Sequence, residues 1–184
     1  MTHTITSPAP HTTGMTAGTT GLVEQFEREA TDAGCEVRRT ATDGFDATLA
    51  DCLESPAVGA PLPFEGVSLP ESVLTKFSPG DLEAAATGVT AARFGVADYG
   101  SVAVESTPAG EEIASLWPER HVAVLAASDL VADVETGIER VGGIARAGSD
   151  VVLATGPSAT ADMGELVVGA HGPRAVSVVV LEDR

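Results

Sequence analysis

The sequence predicts an α/β protein with a mostly parallel or mixed central sheet and helices on both faces. Three observations lead to this fold class. Apolar segments with helical spacing alternate with short strand-like segments for most of the 184 residues. The late strands predicted at residues 121–126, 150–154 and 176–181 are short and almost continuously apolar, which is typical of parallel strands covered on both faces. Two strands predicted around residues 98–100 interrupt the alternation, so a mixed sheet also fits the pattern.

Each element follows from its local pattern, helices from 3.6-residue spacing and strands from alternation or a continuous apolar run. In chain order we expect a helix at 22–33, a strand at 35–40, a helix at 45–53, a strand at 57–64, one turn of helix at 71–76, a short helical turn at 81–86, two strands within 88–106, a helix at 111–117, a strand at 121–126, a helix at 134–145, and strands at 150–154 and 176–181.

Some boundaries have a specific physical reason. Asp43 and Asp81 are expected to cap the helical segments that follow them, because a carboxylate accepts hydrogen bonds from free amides at a helix start. Pro61 and Pro63 have no amide hydrogen, and they should confine the strand at 57–64 to an edge of the sheet.

An acidic composition is the strongest bulk property of the chain. It has 27 acidic and 10 basic residues, for a net charge of −17, and Lys76 is the only lysine. The acids are dispersed, whereas an acidic interaction tail would concentrate them in a block. Dispersed acid with almost no lysine favours a halophilic protein, because concentrated salt screens its self-repulsion. Non-specific nucleic-acid binding needs clustered Lys and Arg and is excluded.

Length and cysteine content limit the domain organisation and the cellular compartment that can be expected. We expect a single domain over residues 21–184, preceded by a disordered or loosely attached tail over residues 1–20. Cys35 and Cys52 form no CxxC pair, and buried thiols in a reducing cytoplasm are the expected state. No apolar run is long enough to span a membrane, and the N-terminus shows no secretory pattern. A cytoplasmic protein without a membrane partner is therefore predicted.

Small and polar residues gather after the strand predicted at 150–154, and strand ends are the usual place for a site in an α/β protein. Gly156 and Pro157 break the strand, and Ser158 and Thr160 follow. Ser158 is suited to cap the backbone after it. Alternatively, the free amides of such a turn bind an anion, and Gly156, Ser158 and Thr160 would then hold the carboxylate or phosphate of a small anionic metabolite.

Three more side chains are candidates for the same site. Asp162 would repel a bound anion, so it either holds the loop by a hydrogen bond or faces a hydroxyl, a metal or a histidine. His171 lies between small residues that leave its ring accessible, and it is either structural or a general acid/base. His121 opens a buried strand and makes either a structural hydrogen bond or a ligand contact. The catalytic assignment falls on His171 and Asp162, and no metal site is predicted.

The same residues carry a resemblance to a known family. Its most specific part is a pair of motifs near the C-terminus, Gly156-Pro157-Ser158-x-Thr160-x-Asp162 and Gly169-x-His171-Gly172-Pro173. A second block covers residues 88–101 and continues at Pro118-x-x-His121-Val122-Ala123-Val124. With these blocks, which together span residues 88–181, the chain resembles the LUD-domain family.

The resemblance implies a fold similar to the NagB/RpiA/CoA-transferase group and a part in L-lactate utilization. Family proteins of this kind act beside iron–sulfur proteins that oxidise lactate to pyruvate, so such partners are expected. The resemblance also adds Asp98 and Ser101 to the candidate ligand-binding residues. Two positions depart from the family pattern: Tyr99 replaces a small hydroxyl residue, and Gly164 stands where an acid commonly follows Asp162.

Three functional hypotheses remain open. The chain is an accessory, non-redox component of lactate utilization, or an enzyme acting on a carboxylate, acyl or phosphorylated metabolite with His171 as acid/base, or a binding domain that uses the same pocket without chemistry. The GxGxxG, GxxxxGK[ST], HExxH and GxSxG motifs are missing, and two cysteines cannot hold a four-thiolate iron–sulfur cluster alone. The cofactor is therefore unknown.

Overall fold

Helices and strands alternate along the chain in a computed structural model that describes residues 18–162 and 165–184. The helices are α1 (Thr19–Asp32), α2 (Phe45–Cys52), α3 (Pro79–Ala84), α4 (Glu111–Leu116) and α5 (Val134–Arg146). The strands are β1 (Glu36–Thr40), β2 (Ala57–Gly59), β3 (Val73–Leu74), β4 (Thr87–Ala91), β5 (Phe94–Val96), β6 (Ser101–Glu105), β7 (Arg120–Ala126), β8 (Leu130–Val131), β9 (Val151–Ala154), β10 (Ala159–Asp162), β11 (Glu165–Val168) and β12 (Ala175–Leu181). Residues 1–17 of the expected tail lie outside the described ranges, and α1 already begins at Thr19.

The centre of the fold is a six-stranded sheet in the order β1-β12-β7-β4-β2-β3, and every neighbouring pair in it is parallel. The two long inner strands, β7 and β12, are buried at every residue after the first. Continuous burial explains their continuous apolar sequence, because both faces of a parallel strand meet other elements.

Helices cover both faces of this sheet, as predicted. Alternate residues of β12 point to opposite faces: Val178 and Val180 pack in one core cluster with α1, whereas Val179 and Leu181 pack in another with α2. The residues of β7 divide in the same way. The predicted α/β class is therefore confirmed.

A second sheet, mixed and four-stranded in the order β8-β5-β6-β9, packs on the α1 face and is covered by α5. Two of its strands, β5 and β6, flank residues 98–100, as predicted, and they pair antiparallel. Two other predictions are wrong. The segment 88–106 contains a third strand, β4, which belongs to the parallel sheet. The apolar run at 150–154, expected to be parallel, is β9, which pairs antiparallel with β6.

The edge of the parallel sheet is β3, and the prediction of an edge strand over residues 57–64 is wrong. β2 ends at Gly59 and lies between β3 and β4. Pro61 and Pro63 follow the strand, so their missing amides cost no ladder hydrogen bond. β3 occupies the place of the helical turn predicted at 71–76, because two paired residues are too few to show a strand pattern.

Both predicted helix caps are also wrong. Asp43 lies in a 3-10 turn before α2, and that helix begins without a side-chain cap. α3 is capped by Ser78, whose hydroxyl accepts a hydrogen bond from the Asp81 amide at 3.3 Å. The Asp81 carboxylate accepts one from the Ser78 amide at 2.8 Å, so Asp81 completes a capping box three residues into the helix.

None of the helices in the two described ranges is both long and apolar enough to cross a lipid bilayer.

Candidate functional site

An open cleft of about 420 Å³ lies at the amino ends of β7 and β12, on the face covered by the second sheet. Its walls come from the end of α4, the starts of β7 and β12, β9 with the loop after it, and the residues after β11. The lining residues are Ser115, Leu116, His121, residues 152–159, residues 171–173 and Val176. Only β9 contributes a carboxyl end, so the cleft lies opposite the carboxyl-end crevice that is usual for parallel sheets.

The loop after β9 owes its shape to Gly156, which is buried and has a positive φ of 72°. A Cβ added there would lie 2.1 Å from the carbonyl oxygen of Ala33. The next residue, Pro157, packs on Gly34 at the turn after α1. Glycine is therefore required both for the backbone conformation and for the close approach of the loop to α1.

The two C-terminal motifs lie side by side and are joined by backbone hydrogen bonds. The Ser158 amide donates to the Pro173 carbonyl oxygen at 2.9 Å, and the Gly169 amide donates to the Ser158 carbonyl oxygen at 2.8 Å. A Cβ on Gly172 would lie 3.1 Å from the Ser158 Cβ. The motif spacing thus has a structural reason: it closes the base of a β10–β11 hairpin.

Ser158 does not cap a helix, because β10 follows it. With its own amide bonded to Pro173, it also lacks the free amide that the anion-turn prediction assumed. What remains available is its half-buried side chain in the wall of the cleft. The predicted anion turn is therefore corrected to a hydroxyl-bearing hairpin base.

His121 forms part of the inner wall, and only 1% of its surface is exposed. Its Nε2 lies 2.9 Å from the hydroxyl of Thr90 on the neighbouring strand β4. Burial lowers the pKa of His121 to about 4, because the charged ring would lose its hydration. The ring is therefore neutral at pH 7 and can exchange hydrogen bonds but carries no charge.

His171 is exposed at the mouth of the cleft, between Ala170 and the hairpin base at Gly172. Apart from the two histidines, no described residue of the lining has an ionisable side chain, and its polar groups are the hydroxyls of Ser115, Thr155 and Ser158 and backbone groups. Such a wall suits a small ligand with hydroxyl or carbonyl groups. His171 is the imidazole exposed at its mouth, and the predicted acid/base role of this residue stays a prediction.

The structure brings four of the predicted residues together in this cleft: Gly156, Ser158, His121 and His171. A fifth, Ser101, is buried behind the wall and reaches it through Thr155, whose Oγ1 lies 2.6 Å from the Ser101 Oγ. These five residues therefore lie close together in the fold, and their roles in binding or catalysis stay predictions.

Two other predicted residues, Thr160 and Asp98, are not among the residues that line the cleft. Thr160 lies in β10 and is not among the lining residues. Asp98 lies in the turn between β5 and β6, and its carboxyl meets the start of α5. Burial raises the pKa of this carboxyl, and the hydrogen bond from the Val134 amide opposes that shift. One Asp98 oxygen, Oδ1, is buried without a hydrogen-bond partner. The side chain of Asp162 lies outside the described part of the structure, so its predicted role stays a prediction.

Sequence reasoning missed Thr90 and Thr155. Both are hydroxyl residues within or next to apolar runs, Thr90 in β4 and Thr155 directly after β9. A hydroxyl inside a buried strand signals a polar partner across the sheet, but the partners, His121 and Ser101, are visible only in the fold.

Across residues 18–162 and 165–184, no three His, Cys, Asp or Glu side chains are grouped so that they could hold a metal ion.

Comparison with known proteins identifies the family of the chain. The family model of the LUD domain matches residues 80–181, which is more than half of the chain and includes both C-terminal motifs. The chain belongs to the LUD-domain family. In this LUD-domain protein the matched region runs from α3 to the end of β12 and contains every lining residue of the cleft.

Three curated relatives are 27%, 31% and 33% identical to this LUD-domain protein over the aligned residues. Lactate utilization protein C of Deinococcus radiodurans is 27% identical over 169 residues, which cover 87% of this chain and 79% of that protein. Lactate utilization protein C of Shouchella clausii is 31% identical over 131 residues, covering 69% of this chain and 57% of its own length. The uncharacterized protein YkgG of Escherichia coli is 33% identical over 106 residues, 55% of this chain and 46% of that protein.

A solved structure shows the same fold. The crystal structure of a DUF162 family protein from Deinococcus radiodurans superimposes on this LUD-domain protein with a TM-score of 0.70, covering 90% of this chain and 99% of that one. Its sequence identity is 20%, so the likeness concerns the fold.

Proposed function

We propose that the protein is an accessory, non-redox component of L-lactate utilization that acts beside iron–sulfur partner proteins in the oxidation of lactate to pyruvate. The observation that carries the proposal is the similarity to lactate utilization protein C of Deinococcus radiodurans over 87% of the chain. A relative of the same name in Shouchella clausii supports it.

The non-redox part of the proposal is supported by the cysteine content. The chain has two cysteines, and both are buried, Cys35 in the core cluster with α1 and Cys52 in the cluster with α2. Two thiols on opposite faces of a sheet cannot share one cluster, and a [4Fe–4S] centre needs four thiolates. Electrons from lactate would then pass through the partner proteins.

A second candidate function is binding or turnover of a small metabolite in the cleft. Two histidines and the Ser158 and Thr155 hydroxyls that meet there favour it. A short carboxylate or acyl compound fits this cleft better than a phosphorylated one. The described lining has no Lys or Arg, and a phosphate dianion without such a partner would be poorly compensated in a chain of net charge −17.

We further propose that the protein works in the salt-rich cytoplasm of a halophile. The dispersed acidic surface supports this, because the Debye length shrinks to roughly 3 Å in 1 M salt and screens the self-repulsion. The urea midpoint of unfolding should rise between 0.1 M and 1 M KCl, to be measured by circular dichroism. A midpoint that falls would contradict the proposal.

The lactate proposal is tested by affinity purification from the native host in about 1 M KCl, with mass spectrometry of the co-purifying proteins. We expect iron–sulfur proteins and lactate-dependent reduction of a dye in the eluate. Recovery of the chain alone, without that activity, contradicts a stable accessory subunit.

The cleft is tested by His171→Ala, with Thr160→Val as a control outside the lining. If the cleft catalyses turnover of a small metabolite, His171→Ala should lower the rate of that turnover by about 10²–10⁴-fold, which is the usual contribution of a general acid or base. Binding of L-lactate or pyruvate, followed by calorimetry, should change little. Equal activity of the two variants would exclude His171 as the proton-transfer group.

A further inference from the structure

Two of the hydroxyls in the wall of the cleft are already hydrogen-bonded within the protein, and they are bonded in different ways. Ser115 donates its hydrogen to the Glu112 carbonyl oxygen at 2.7 Å, so that hydrogen is taken. The Oγ1 of Thr155 instead lies 2.6 Å from the Oγ of Ser101. Ser101 is only 7% exposed, whereas Thr155 is exposed and lines the cleft.

The direction of the hydrogen bond between Ser101 and Thr155 follows from this difference in burial. A buried hydroxyl needs an acceptor for its hydrogen, because an unsatisfied polar group costs free energy away from water. Within residues 18–162 and 165–184, Thr155 is the one hydrogen-bond partner of the Ser101 side chain. Ser101 therefore donates to Thr155, and the hydrogen of the Thr155 hydroxyl remains for a group in the cleft.

The backbone holds Thr155 on both sides. Before it, Ala154 pairs with β6, and this pairing brings Thr155 beside Ser101 at the start of that strand. After it, Gly156 is buried and lies against the carbonyl of Ala33. A hydroxyl on a backbone held in this way, with its oxygen bonded to Ser101, has little freedom left to lose when a ligand binds.

We propose that Ser101 is a positioning residue that holds the Thr155 hydroxyl as a hydrogen-bond donor to a carboxylate oxygen of the ligand. The inference rests on the proposed binding of a short carboxylate in the cleft, and it names a contact that recognises this ligand. A carboxylate gains most from such a donor, because hydrogen bonds to a charged acceptor are stronger than neutral ones. The described lining has no Asp or Glu to repel it, and no Lys or Arg to bind it in place of a hydroxyl.

The first measurement needs no ligand. By nuclear magnetic resonance, three-bond couplings from the Thr155 methyl carbon to its amide nitrogen and carbonyl carbon report the χ1 angle. The native protein should show one staggered rotamer, because Ser101 holds the hydroxyl on one side, and Ser101→Ala should give averaged couplings. Averaged couplings in the native protein, or a single rotamer kept in Ser101→Ala, overturn the positioning role.

The second measurement is calorimetric titration with pyruvate. Thr155→Val keeps the shape of the side chain without its hydroxyl and should weaken binding by about tenfold or more, as loss of a hydrogen bond to a charged group does. Thr155→Ser keeps the hydroxyl and should retain most of the affinity. Ser101→Ala should weaken binding less than Thr155→Val, because the donor is still present but is no longer held.

A double-mutant cycle tests whether Ser101 acts through Thr155. If it does, Ser101→Ala should cause no further loss of affinity in the Thr155→Val background. Ser177→Ala is the matched control, because Ser177 is a fully buried serine of β12 that does not line the cleft. Native affinity in Thr155→Val, additive losses in the double variant, or an equal loss in Ser177→Ala overturns the proposal.

Failure of the proposed function would give a different result. Native protein that binds neither pyruvate nor L-lactate contradicts ligand binding in the cleft and the carboxylate contact with it, whereas the couplings still decide whether Ser101 orients Thr155. An unchanged urea midpoint for each variant assigns a loss of affinity to the contact. Thr155→Val and Thr155→Ser change an exposed side chain, so they test the contact even if Ser101→Ala does not fold.

Discussion

The inner strands of the parallel sheet and strand β11 of the hairpin are both rich in valine and leucine, yet they lie in opposite environments. Residues 176–181 of β12 are all buried, whereas all four residues of β11 are exposed. The first region meets helices on one face and a helix and a second sheet on the other; the second pairs with one strand. An apolar sequence therefore has two outcomes in this chain. In β12 it forms part of the core, and in β11 it forms an exposed surface.

The same substitution in both regions gives the largest expected difference. Leu125→Ala in β7 removes a fully buried side chain and should lower the free energy of unfolding by about 2–5 kcal/mol, through lost burial and a cavity. Leu166→Ala in β11 should change it by less than about 0.5 kcal/mol in dilute protein. Urea denaturation measures both. Equal losses would mean that the hairpin is part of the core.

His121 extends the comparison to the border between the core and the cleft. Its pKa is lowered to about 4 by burial, below the ordinary value of 6.5, so the unfolded chain binds a proton that the folded chain excludes. The contribution of the neutral, buried ring to the free energy of unfolding is complete above pH 6.5 and is lost as the pH falls towards 4. It amounts to about 3 kcal/mol, at 1.36 kcal/mol per pKa unit.

The measurement compares the free energy of unfolding of the native protein and His121→Gln between pH 7.5 and 4. The native protein should lose more stability over this range by roughly the same 3 kcal/mol, because glutamine does not titrate. Parallel curves would show that His121 is already protonated or solvated in the folded state.

Two glycines extend the comparison of buried and exposed positions to the addition of a single methyl group. Gly156→Ala places a Cβ 2.1 Å from the Ala33 carbonyl at a positive φ, and we expect a loss of about 2 kcal/mol or more, with displacement of the loop that lines the cleft. Gly143→Ala is the control: it lies within α5 with open space around it and should add about 0.5–1 kcal/mol. Thermal unfolding of both variants checks this, and tolerance of Gly156→Ala would mean that the loop can move away from α1.

The long buried elements were predictable from the sequence because one rule decides each of them. β7 and β12 read as continuous apolar runs since both of their faces are covered, and α1 and α5 show helical spacing. The misplaced elements are those decided by distant partners. β9 is as apolar as a parallel strand, and only its pairing with β6 places it in the second sheet. β3 becomes a strand because β2 lies beside it.

The candidate site was predictable to the extent that it is local. Gly156, Ser158 and His171 lie close in sequence, and their motifs identified the region. The wrong expectation, an anion-binding turn at Ser158, failed because a local pattern cannot show that the amide bonds to Pro173. The partners of His121 and Ser101 come from segments 31 and 54 residues away, so only tertiary structure reveals them.

The burial of the two cysteines on opposite faces of the parallel sheet makes them built-in kinetic reporters. Burial raises the pKa of both thiols, which slows their reaction with disulfide reagents until the covering structure opens. Cys35 also receives a backbone hydrogen bond from Gly156, so its labelling rate would follow motion of the loop at the cleft. Cys52, the buried last residue of α2, would follow opening of the far side. One labelling time course would thus separate loosening of the cleft from loosening of the opposite layer.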